Sequence, residues 1–115
     1  MELSEYEQKT AQIDPWYERK YYAVLKKIVL REFSDTDCTI FLFGSRAFGT
    51  YRWGADYDIG VEGIDAMIFL VKKHKVLHAV EESIVPWGVD IIRFDTVDEE
   101  FRNVALEEIE LWKSG

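Results

Sequence analysis

Three aspartates and a Gly-Ser pair are the residues of this chain whose types and spacing could do chemistry. Within residues 41–62, FLFGSRAFGTYRWGADYDIGVE, an apolar run ends at Gly44-Ser45 and a loop rich in glycine and aromatics follows. Asp56 and Asp58 come next, one residue apart, with Tyr57, Ile59 and Val61 in the alternate positions, the period-2 pattern of a strand. On a strand both carboxylates project from one face, about 6–7 Å apart along the backbone. Two like charges so placed repel unless a cation sits between them, and hard carboxylate oxygens suit Mg²⁺.

Gly44-Ser45 supplies the complementary half. A glycine directly after an apolar strand lets the backbone turn sharply and bring its N–H groups close to a ligand. Ser45 adds a hydroxyl, a helix starting there would aim its positive end at phosphate, and Arg46 adds a bidentate fork suited to phosphate oxygens. One end of the stretch reads as a phosphate holder and the other as a metal holder, together a site for a nucleoside triphosphate with its metal. Asp90, in Gly88-Val89-Asp90-Ile91-Ile92, can add a third carboxylate if its strand lies beside that of Asp56 and Asp58.

Bland roles compete with each of these. The acidic pair could be a solvated strand edge, Ser45 a turn or helix cap, Asp90 a strand-entry residue after Pro86-Trp87-Gly88, and Arg46 one half of a surface ion pair. For Asp56 and Asp58 the cost of two facing charges, with a Gly-Ser at the right distance, favours the metal.

The elements that must position these residues are read from periodicity. Residues 1–13 are polar and expected to be loosely held. Asp14-Pro15 opens a helix, and Tyr17, Tyr21, Val24, Leu25, Ile28 and Val29 carry its apolar stripe to about Phe33. A short buried strand over 38–43 follows, then the loop over 44–54 and a second strand over 55–62. Residues 64–83 form a helix with Met67, Ile68, Val71, His74 and His78 on one stripe. A third strand spans 89–94, and the capping box Thr96-x-x-Glu99 opens a last helix to about Trp112, with Val97, Phe101, Val104, Ala105 and Trp112 inward. This order makes an α/β (α+β) fold, a small mixed sheet with helices packed on it.

At 115 residues the chain is one domain, 1–115, and 48% hydrophobic with 15% aromatic residues argues for a packed core rather than disorder. A formal charge of −8 disfavours non-specific nucleic-acid binding, which needs clustered Lys and Arg, and points toward solubility or a basic protein partner. The single Cys38 excludes an internal disulfide. No apolar run approaches the ~20 residues of a membrane span and the N-terminus lacks a signal-peptide pattern, so a cytoplasmic protein is expected.

With Gly44-Ser45, ten intervening residues, Asp56-Tyr57-Asp58 and a later Asp90 on an apolar strand, the chain resembles the minimal nucleotidyltransferases of the DNA-polymerase-β superfamily. The GSRAFG and PWGVDII segments add to the likeness, which covers residues 39–101. The resemblance implies the polymerase-β-like nucleotidyltransferase fold and transfer of a nucleotide, with ATP or another NTP as donor. Asp56, Asp58 and Asp90 would hold a two-Mg²⁺ site, Asp90 also orienting or deprotonating the acceptor hydroxyl, while Gly44, Ser45 and Arg46 bind the phosphates. Several small members are antitoxins paired with HEPN-domain toxins, some of which they adenylylate on tyrosine. The expected partners are therefore an NTP and a HEPN-type protein, with no membrane and a homo-oligomer compatible. Ala55 departs from the Ser that such sequences commonly carry there, removing a hydroxyl beside the site. The rival readings are a non-catalytic antitoxin that neutralises its partner by occlusion, and transfer to a small molecule, which usually needs an extra acceptor domain.

Other residues weigh less. His74 and His78 at i, i+4, with Glu82 a turn on, lack the H-E-x-x-H context and a fourth ligand, and read as a helix-face pair. Phe48, Tyr51 and Trp53 could stack on a base, fold onto the core or dock a partner, the last slightly favoured. Trp16 and the tyrosines of the first helix read as core or a partner seam, and Cys38 as a buried strand residue.

Overall fold

Strand alternation decides which side chains meet the helices and which are left for the opposite face. In a computed structural model of the chain, residues 15–49 and 55–115 are described, except for the side chains of 15–17. Helix α1 is Pro15–Glu32, with proline at its first position, where a missing N–H costs nothing. Strand β1, Thr39–Phe43, is buried from Ile40 onward. The one-turn helix α2, Ser45–Phe48, follows Gly44. Strand β2 is Tyr57–Glu62, helix α3 Ala66–Glu81 and strand β3 Val89–Arg93. A 3₁₀ turn over Phe94–Thr96 leads to helix α4, Glu99–Ala105, and strand β4, Glu110–Lys113.

The sheet order is β3-β2-β1-β4. β1 pairs antiparallel with both β2 and β4, while β2 and β3 run parallel, joined by the α3 crossover. The expected mixed sheet with packed helices is the architecture found. Tyr57, Ile59, Val61 and Ile91 point with Ile40 and Leu42 into the main core, which Leu25 and Val29 from α1, Phe33 just after it, and Phe69, Val76 and Val80 from α3 complete. The alternate positions feed a smaller aromatic core of Phe41, Phe43 and Phe94 with Ala105. Phe94 stands edge-on to Phe41 and Phe43, ring centres 4.9 and 5.1 Å away, a favoured aromatic geometry.

Three expectations need correction. The last helix stops at Ala105, and Trp112 sits on a fourth strand instead. Glu107, Glu108 and Glu110 follow the helix end, where the negative end of the helix dipole opposes further acidic residues. Beyond it, pairing with β1 buries Trp112 against Tyr22, while Phe101 and Val104, expected inside, are exposed. The cap of α4 is Asp98 rather than Thr96, its carboxylate accepting from the Glu100 and Phe101 amides at 3.1 and 3.3 Å. On α3 the stripe of Met67, Ile68, Val71, His74 and His78 faces solvent, and Phe69, Val76 and Val80 are the buried residues. Residues 66–71 of that helix are apolar all round and 72–75, KKHK, are polar all round, so periodicity alone does not choose its buried side.

Candidate active site

The end of β1 and the beginnings of β2 and β3 meet at one edge of the sheet. Phe43 is the cross-strand partner of Asp58, and Asp58 is the register partner of Asp90 on the parallel strand. Register partners share a face, so Asp58 and Asp90 stand side by side on the aromatic face of the sheet, away from α1 and α3. Asp56 lies just before β2 and acts on the same group. Burial first, then the negative charges of Asp90 and Asp56, push the Asp58 carboxyl above the usual carboxylate range. Among the described residues no Lys or Arg forms an ion pair with any of the three.

Two glycines make room for this cluster. Gly44 has φ +74° and ψ −160°, a backbone region that side chains rarely enter, and a Cβ there would overlap Asp58 Oδ2. A Cβ on Gly88 would lie 2.6 Å from Asp56 Oδ1. The Gly88 carbonyl accepts the Tyr57 N–H at 3.0 Å, which ties the start of β3 to the residue between the two acids. Ser45 follows Gly44 directly at the head of α2 and is half-buried.

The donor set fits a divalent cation: three carboxylates, all hard oxygen ligands, share one sheet edge and raise the proton affinity of one of their number. Among the described residues no three acidic, His or Cys side chains close into a metal cage by themselves. Mg²⁺ does not need one, since it is usually held by one or two carboxylates with substrate phosphates and water completing its shell.

Arg46 follows Ser45 in α2 and is buried. Its side chain is 4% exposed, and its fork is committed within the protein. Nε and Nη2 both donate to the Ala55 carbonyl at 3.1 and 2.8 Å, and Nη1 donates to Glu18 Oε2 at 3.0 Å. Three of its five N–H groups thereby join the head of α2 to α1 and to the entry of β2.

A family model described as a nucleotidyltransferase domain matches residues 23–111. The chain belongs to the nucleotidyltransferase family. It is 32% identical over 68 residues to the probable protein adenylyltransferase MntA of Haemophilus influenzae, a match spanning 59% of each protein. Its fold is similar to that of a toxin–antitoxin crystal structure with AMP-PNP (TM-score 0.59, 18% identity, 78% of this chain and 73% of that one). A second similar structure is a toxin–antitoxin MntA–HpeT mutant with two Asp-to-Glu changes two positions apart (TM-score 0.58, 16% identity, again 78% and 73%). The expected polymerase-β-like nucleotidyltransferase resemblance and sheet-and-helix fold are both borne out.

Some neighbours of the nucleotidyltransferase motif were not legible in the sequence. Pro86-Trp87-Gly88 reads as a plain break, yet Gly88 backs Asp56 and Trp87 packs on Tyr57 and Tyr21, ring centres 6.3 and 5.3 Å apart. Glu18 pairs with Arg46 across 28 residues, a separation without any sequence signal. Of the loop aromatics, Phe48 is 39% exposed, and Tyr51 and Trp53 lie outside the described residues, as do residues 1–13 and Asp14. His74 and His78 are both exposed on α3, which packs on the face of the sheet opposite the acids, and His78 lies 3.7 Å from Glu82 at i, i+4. Cys38 is a buried free thiol, 2.9 Å from Thr36 Oγ1. A cleft of about 220 Å³ opens on the helix side of the sheet, lined by the Arg46–Glu18 pair with Tyr22, Leu42, Tyr57 and Glu110 among others. Among the described residues no helix is long and apolar enough to cross a membrane.

Proposed function

We propose that this domain transfers AMP from ATP, with Mg²⁺, to a tyrosine hydroxyl of a HEPN-type toxin, and so acts as an antitoxin. The observation that carries this reading is the register of Asp58 beside Asp90 on parallel strands, with Asp56 alongside and a glycine against each of Asp56 and Asp58. Family membership supports nucleotidyl transfer. The protein acceptor is supported by the relative described as a probable protein adenylyltransferase and by fold neighbours that are toxin–antitoxin assemblies.

In this reading Asp56, Asp58 and Asp90 hold the metal, which when bound would neutralise charge on the triphosphate and the departing pyrophosphate. The Gly44 backbone and Ser45 hydroxyl hold the phosphates. The acceptor oxygen bonds to the α-phosphorus as the bond to pyrophosphate breaks, and Asp90, exposed at the sheet edge, accepts the hydroxyl proton. Positioning and charge neutralisation carry most of the rate, since phosphoryl transfer asks little covalent work of the protein.

The test uses purified protein with α-labelled ATP, Mg²⁺ and the product of the adjacent reading frame. Label should appear on a partner tyrosine, vanish with a chelator, and fall by at least ~10²-fold in Asp56→Asn, a loss typical of removing one preorganised electrostatic contact to the transition state. Equal labelling by wild type and Asp56→Asn overturns the proposal. Neutralisation of the partner without any label would indicate occlusion.

A further inference from the structure

We infer that Arg46 is a positioning residue that sets where Asp56 and Asp58 stand relative to the Gly44-Ser45 turn. The inference rests on the reading of those residues as the metal and phosphate holders. Arg46 lies one position after Ser45, and the carbonyl it grips belongs to Ala55, one position before Asp56. A single side chain thereby fixes both ends of the excursion that separates the two halves of the site.

The same guanidinium reaches the other segments that border the site. Its centre lies 4.0 Å from the ring centre of Tyr57, the residue between the two carboxylates, and 4.9 Å from that of Trp87. Trp87 precedes Gly88, which backs Asp56 and receives the Tyr57 amide. On its outer side Nη1 is held by Glu18 of α1. Three separate segments therefore converge on the planar cation that the turn after β1 carries: the entry to β2, the entry to β3, and α1.

Only arginine meets this demand. A planar fork can place two N–H groups on one carbonyl, a third on a carboxylate and its face on an aromatic ring, whereas lysine offers one point charge. Burying a cation is costly unless it is paired and hydrogen-bonded, and Glu18 with the Ala55 carbonyl meets that need here. Groups that orient metal ligands from behind typically matter about 10–100-fold in metal affinity or activity.

The experiment uses the full chain as wild type, Arg46→Gln, Arg46→Lys and Glu18→Gln, each assayed at least about 10 °C below its own melting midpoint. Three readouts are taken: the folded fraction by circular dichroism, affinity for Mn²⁺ alone by calorimetry, and kcat with KM for ATP in the labelling reaction. Arg46→Gln should weaken Mn²⁺ binding by about 10-fold and lower kcat by about 30–100-fold, the range for lost ligand orientation, while KM for ATP moves less than about threefold. Arg46→Lys should recover no more than about threefold, because it lacks the fork, and Glu18→Gln should shift both readouts in the same direction by about threefold.

Wild-type Mn²⁺ affinity and kcat in folded Arg46→Gln overturn the inference, as does a loss fully explained by the unfolded fraction. Should neither Arg46 variant fold, unchanged values in Glu18→Gln overturn it and the threefold shift supports it. A wild type that transfers nothing, yet binds Mn²⁺ more tightly than Arg46→Gln, defeats the transferase reading and leaves the brace standing. A wild type that binds no Mn²⁺ overturns both.

Discussion

Asp58 is under electrostatic load in the folded protein. Its carboxylate lies against Gly44, its strand neighbour across the sheet is Phe43, and Asp90 and Asp56 are close enough to disfavour its ionised form. Its folded pKa is therefore raised above the unfolded value of about 3.9. Between those two values the native state holds a proton that the unfolded chain has lost. Stability consequently falls as pH rises through this window, and the full penalty persists above the folded pKa. Without divalent cations, Asp58→Asn should melt higher than wild type at pH 7.5, and the gap should close as the pH is lowered toward 4. Adding Mg²⁺ at neutral pH should raise the melting temperature of the wild type and leave Asp58→Asn nearly unchanged. Scanning calorimetry of the two proteins at both pH values, with and without Mg²⁺, checks each expectation.

At the scale of elements, local signals and long-range pairing contribute differently. Helix α1, strands β1 to β3 and the core of α3 were legible because Pro15, the apolar run 40–43, the alternation from Tyr57 and the break at Pro86-Trp87-Gly88 are local cues. The acid cluster was legible as residue types and spacing, and the meeting of Asp90 with Asp58 came only with the parallel register. Strand β4 was not legible, because residues 110–113 form a strand only by finding β1, some 70 positions earlier. The committed state of Arg46 was hidden for the same reason: its partners Glu18 and Trp87 come from distant segments.

The strand missed in the sequence is anchored by one indole. Trp112 is 9% exposed, stands edge-on to Tyr22 at 5.7 Å, and donates from Nε1 to the Tyr22 hydroxyl at 2.9 Å. That phenol is in turn pushed well above its ordinary pKa by burial and by its bond to Glu110, so it remains protonated. Trp112→Ala should cost about 3–5 kcal/mol through the lost burial and the cavity left between α1 and β4. Urea denaturation followed by far-ultraviolet circular dichroism measures it.

Across the whole molecule, apolar surface is unevenly distributed. The outer side of α3 leaves Met67, Leu70 and Val71 at 69, 56 and 52% exposure, so these side chains contribute little to the core. Met67→Ser combined with Leu70→Ser should change stability by no more than about 1 kcal/mol, the sum of two surface substitutions, as read from the urea midpoint. An excess of eight negative charges over the full chain disfavours non-specific contact with nucleic-acid backbones without constraining the local chemistry.

Tyr57 sends its ring into the aliphatic core while its neighbours Asp56 and Asp58 stay on the other side. Sliding β2 by one residue would drive carboxylates among Leu25, Val29 and Ile91 and expel the phenol. The acidic pair thus polices its own alignment: a mispaired sheet is penalised by the very groups that would be misplaced, so chains that fold at all inherit a correctly aimed motif.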